Sequence, residues 1–148
     1  MGADLYLDAV FEPVCQRWQP EFEKAAKLRD AAPDEVSRNM AQARVEQCLE
    51  RMYSRGYFRD SYNDSNVLWN YGLSWWTDVI PMLDEQNRLS PAQATRLLEI
   101  LQARQRQFNE AIAVFDPKRR GFFANRAEQL ESLLREAVEL DEPISCSL

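Results

Sequence analysis

The side chains best suited to chemistry or recognition lie between Tyr53 and Trp76. Half of the chain's 16 aromatic residues fall in this stretch: Tyr53, Tyr57, Phe58, Tyr62, Trp69, Tyr71, Trp75 and Trp76. Between them stand Arg55, Arg59, Asp60, Asn63, Asp64, Asn66 and Asn70. Flat rings supply contact area, while amides, carboxylates and guanidinium groups set orientation, which is the mixture a small-molecule pocket uses. The same mixture makes an aromatic hot spot for a protein partner. The competing explanation is structural: a buried aromatic helix preceded by a loop that caps itself through Asx turns.

Three sharper chemistries can be tested on the spacing. With Asp60 in the first position of a calcium loop, Tyr62 falls third, Asp64 fifth, Ser65 sixth and Tyr71 twelfth. That pattern lacks the third oxygen donor, the glycine and the closing glutamate of an EF-hand. Asp60 and Asp64 are four residues apart and would share a face if the segment were helical, the arrangement a hydrolase could use as a carboxylate pair. At the start of the last helix, Lys118, Arg119 and Arg120 crowd the end where the macrodipole favours acids, a weak pointer to a bound anion.

Composition removes other classes. The chain has no histidine, so histidine-based acid–base, nucleophilic and metal chemistry is excluded. Cys15, Cys48 and Cys146 are widely spaced and odd in number, which argues for small apolar side chains rather than a disulfide framework or zinc site. No nucleotide-binding glycine loop, metal motif or catalytic set stands out, so no cofactor, metal or catalytic residue is assigned. A net charge of −6 disfavours direct nucleic-acid binding. No apolar run approaches a membrane span and no leader pattern opens the chain, so the expected location is the cytoplasm.

These residues must be positioned by helices. The length of 148 residues suits one domain, here expected over 1–148. The spacing predicts a first helix over 20–31, beginning at Pro20, and a second opened by Asp34 and stopped near Gly56. Apolar positions including Val36, Met40, Val45, Cys48 and Met52 would face inward on that second helix. Residues 56–66 read as a loop. Residues 67–83 read as a central buried helix, interrupted near Gly72, which would make Trp69 to Trp76 mostly core. Ser90-Pro91 and Asp116-Pro117 each give a cap followed by a first-turn proline, opening helices that run to about Phe115 and to Leu140. The termini, 3–7 and 144–148, look extended and are expected to pair as a two-stranded ribbon. The expected fold is therefore mainly α: a single-domain bundle of about five helices with a short terminal β ribbon.

The opening MGADLYL, the runs GYFRDSYNDSN and LSWWTDVIPML and the closing EPISCSL together resemble a small family of uncharacterised bacterial proteins. The likeness would span nearly the whole chain. It implies no activity, cofactor or binding residue. The functional expectation rests on the residues alone: a non-enzymatic binding or interaction protein that uses the 53–76 region for a protein partner or small ligand. Its candidate contact residues are Tyr57, Arg59, Asp60, Tyr62, Asn63, Asp64, Asn66 and Trp69. The alternatives are a small histidine-independent enzyme using Asp60 and Asp64, and an acidic inhibitor or nucleic-acid mimic of the kind mobile elements encode.

Overall fold

The computed structural model describes residues 2–148. The fold is mainly α with a small antiparallel sheet. Two compact units divide the chain, one formed by residues 8–57 and the other by residues 1–7 together with 58–148.

The 8–57 unit is a helical hairpin. Helix α1 spans Asp8–Asp30 and α2 spans Glu35–Met52. The Asp34 carboxylate caps α2 by accepting from the Ser37 amide at 2.7 Å, which holds its acid well below the usual carboxylate range. The first helix starts earlier than proline placement suggested, running through both Pro13 and Pro20. Each proline removes one backbone bond. The helix-forming run from Glu21 to Lys27 follows immediately, and α1 packs along the length of α2, which keeps the two stretches on one axis. Ala25, Val45, Cys48 and Met52 are buried. Val36 and Met40, expected inward, are exposed, because two helices share only one line of contact and these positions lie off it. Phe11, Tyr53 and Tyr57 form a ring cluster, with Tyr53 and Tyr57 edge to face at 4.8 Å.

The other unit is built on the sheet, in strand order β2-β1-β4-β3. The strands are β1 (Gly2–Tyr6), β2 (Tyr57–Ser61), β3 (Arg88–Leu89) and β4 (Ile144–Ser147). The expected terminal ribbon is present as its middle pair, with Asp4, Leu5 and Tyr6 opposite Ser147, Cys146 and Ser145. Two further strands flank it, which a marginal isolated ribbon requires. Strand β2 lies where a loop was expected. Its alternation puts Phe58 and Asp60 inward and Arg59 outward, the period of a half-buried strand. Gly2 is required by this pairing, since a Cβ there would collide with the Asp60 carbonyl.

Helices cover the inward face. They are α3 (Val67–Asn70), α4 (Pro91–Ala103), α5 (Gln105–Ile112) and α6 (Pro117–Leu140). Ser90 and Asp116 cap α4 and α6 as their sequence signals predict. The expected single helix from 91 to 115 is broken at Arg104 into α4 and α5. Leu97 and Leu101 of α4 meet the buried row Phe123, Leu130, Leu134 and Ala137 of α6. At the end of α6, Asp141 adopts a left-handed φ of 52°, and the Glu142 amide donates to the Ala137 carbonyl. That closure turns the chain into β4.

The expected central helix over 67–83 is not continuous. Helix α3 is one turn, Gly72 takes a φ of 70°, and a wide π-turn follows over Trp75–Val79. Arg104 fixes the break by donating to the carbonyls of Tyr71 and Gly72 at 3.1 and 3.0 Å. A Cβ on Gly72 would meet the Gln107 amide and lie 3.2 Å from the Arg104 guanidinium. Gly72→Ala is therefore expected to lower stability by about 1–3 kcal/mol. Gly121, whose Cβ would meet nothing, is the control: Gly121→Ala should raise stability by about 0.5–1 kcal/mol. Thermal melts of the two variants check both signs.

Candidate functional site

Asp60 organises the region. Its carboxylate, fully buried on β2, accepts from the amides of Val67 (2.9 Å), Leu68 (3.3 Å) and Ser61 (3.0 Å) and from Trp75 Nε1 (2.8 Å). It thus fastens the first turn of α3 and the core tryptophan to the sheet. Burial pushes its acid above the usual carboxylate range, against the four donors that pull it down. The expectation of an exposed Asp60 is corrected here: the strand's alternation turns it inward. The proposed Asp60–Asp64 pair is corrected with it. The segment is not helical, and Asp60's oxygens are taken by these donors while Asp64 is exposed.

With α3 anchored, residues 62–66 form a tight self-capped loop. Asn63 Oδ1 accepts from the Ser65 amide at 2.9 Å, and Asn66 Oδ1 accepts from the Trp69 amide at 2.9 Å. Asn70 Nδ2 donates back to the Asn66 carbonyl at 3.3 Å. These are the Asx turns that the competing explanation foresaw. They spend each asparagine's oxygen or one amide proton and leave the rest of each amide unused.

The tryptophans separate. Trp75 is core, as is Tyr71, which stacks on Phe108 with ring centres 4.4 Å apart. Burial and the nearby Glu131 push the Tyr71 phenol up from its usual range. Trp69 is 75% exposed and Trp76 58% exposed, so the expectation that Trp69 to Trp76 is mostly core holds for Trp75 and fails for these two. On a single turn of helix, Val67, Leu68 and Asn70 already fill the inward directions and Trp69 points away.

Trp69 flanks a concavity of about 530 Å³ lined by Tyr62, Asn63, Asp64, Asn66, Trp69, Asn70, Phe115 and Arg119. This volume lies within the range of small-molecule pockets. Arg119 closes one side. Its guanidinium sits 4.3 Å over the Phe115 ring and donates to the Asp64 carbonyl at 3.1 Å. Tyr62 closes another, its ring 5.7 Å from that of Trp76. The Tyr62 hydroxyl is buried and makes no hydrogen bond within the protein, and burial, with Asp4 and Asp60 nearby, raises its phenol.

Five of the residues singled out in the sequence thus converge: Tyr62, Asn63, Asp64, Asn66 and Trp69. Arg119, expected at an anion site, joins them. Tyr57, Arg59, Asp60, Lys118 and Arg120 do not line the concavity. Tyr57 packs against Phe11 and Tyr53, and Arg59 pairs with Asp4 across the sheet at 3.6 Å. Lys118 and Arg120 are exposed on α6, whose start is already capped by Asp116. Two lining residues escaped the sequence reading. Asn70 follows Asn66 by one helical turn, a spacing that could have flagged it. Phe115 read as the end of a core stripe, and only tertiary packing against Arg119 reveals it.

Among the described residues, no helix is long and apolar enough to cross a membrane, and no group of three or more acidic, cysteine or histidine side chains could hold a metal ion. No family model, no curated protein and no solved structure matches the chain.

Proposed function

We propose that this protein is a non-enzymatic binding module whose 62–70 concavity receives a small ligand. The observation that carries this reading is Trp69: a large ring left 75% exposed at the edge of a cavity otherwise lined by unused amide groups. An isolated exposed apolar residue needs no explanation. A bare indole beside converging polar groups is what a binding pocket presents. The enzyme alternative loses its base, because the Asp60 carboxylate is engaged by four backbone and indole donors.

A fragment library screened by saturation-transfer NMR tests the reading. Compounds that bind the wild type at one competitive site should lose at least about tenfold in affinity, roughly 1.4 kcal/mol, in Trp69→Ala. Arg59→Ala, outside the concavity, should bind them unchanged. Fragments that bind equally well to the Trp69→Ala variant would place recognition elsewhere.

A further inference from the structure

We infer that the ligand of this concavity is a neutral saccharide of one or two rings; the inference rests on the reading of residues 62–70 as a ligand site. Charge is the first argument. The lining carries one carboxylate, Asp64, and one guanidinium, Arg119, so it has no net charge to select an ion. The nearby start of α6 offers no anion hole either, since the Asp116 carboxylate already accepts the Arg119 amide at 3.0 Å. Arg119 is itself held between the Asp64 carbonyl and the Phe115 face.

The hydrogen-bonding inventory is the second. Asn63 and Asn66 spend their side-chain oxygens on backbone amides, so each retains its Nδ2 donors. Asn70 spends an Nδ2 proton on the Asn66 carbonyl and retains Oδ1 as an acceptor. Asp64 adds two acceptor oxygens. The wall therefore mixes donors with acceptors. A phosphate or carboxylate ligand offers acceptors only and would oppose Asp64 and Asn70 Oδ1. A sugar hydroxyl both donates and accepts, and neighbouring hydroxyls satisfy such a wall in pairs. The third argument is shape. The exposed Trp69 face matches the C–H face of a pyranose ring, burying apolar surface on one side while the ring's hydroxyls reach the amides.

Saturation-transfer NMR with maltose, cellobiose, lactose, chitobiose, mannobiose and adenosine, each at about 5 mM to suit millimolar affinity, tests this class. The proteins are the wild type, Trp69→Ala and Asp64→Ala, their folding checked by thermal melts; both side chains are exposed. Transfer to the ring protons of at least one disaccharide is expected, falling at least about fivefold in both variants. Trp69-dependent transfer to adenosine with none to any disaccharide would overturn the saccharide class and leave the ligand site standing. No Trp69-dependent transfer to any of the six would overturn the saccharide class, and the fragment screen then decides the site separately.

Discussion

Replacing Asp60 with alanine is expected to lower stability by about 3–5 kcal/mol, a large share of the 5–15 kcal/mol typical of a domain. The amides of Val67 and Leu68 and the Trp75 indole would lose their acceptor in a buried setting. Each unmade buried hydrogen bond costs about 1–3 kcal/mol. Asp60→Asn keeps one acceptor oxygen and should lose less. Urea denaturation of both variants, with a wild-type-like midpoint for Asp60→Ala, would show that the donors find other partners. The pH dependence has a definite sign. Because the acid is raised in the folded state, the native protein holds a proton that the unfolded chain has released between the ordinary and raised values. Stability relative to Asp60→Asn should therefore fall as pH rises through that window and level off above it. Asp34 and Asp84, both lowered by hydrogen bonds to backbone amides, act oppositely and weaken the fold as pH falls, but they are common to both proteins and cancel in the comparison.

Phe108→Ala should cost a similar amount, about 3–5 kcal/mol. The ring is buried on α5 and stacks on Tyr71, directly beneath the Gly72 break. Its removal leaves a void against a ring whose hydroxyl is 3.5 Å from Glu131 and so resists moving to fill the gap. Phe108→Leu, which keeps most of the volume, should lose well under half as much. Chemical denaturation of the pair separates volume from stacking: an equal loss in both would point to the aromatic contact instead of the cavity.

The parts of this fold that could be read from the sequence are those specified by neighbouring residues. Asp34, Ser90 and Asp116 cap their helices because a cap and the turn it serves are local. The extended termini could likewise be recognised by their alternation. The segment 57–61 was missed because five alternating residues inside a polar, aspartate-rich run resemble a loop until another strand lies beside them. Residues 67–83 misled for a related reason. Apolar residues on all sides suggested one buried helix, but the Gly72 break and the π-turn present Trp75 to the core and Trp69 and Trp76 to the surface. At the candidate site, Asn63, Asp64, Asn66 and Trp69 stood out because their types are unusual together. Asp60 looked like one of them, and its inward direction depends on strand parity that only the sheet supplies.

The pairing of Asp4 with Ser147 at the centre of the sheet joins segments from nearly opposite ends of the sequence. On a ribosome, β1 emerges early and must remain unpaired on that side until residues 144–147 have cleared the exit tunnel. During synthesis, the middle of this sheet is an open edge, the kind of surface that recruits stray strands. Closing so long a loop is entropically expensive and slow relative to forming the helices. The protein therefore spends its assembly with helices available and its sheet waiting, and the sheet becomes protected only when its last strand arrives.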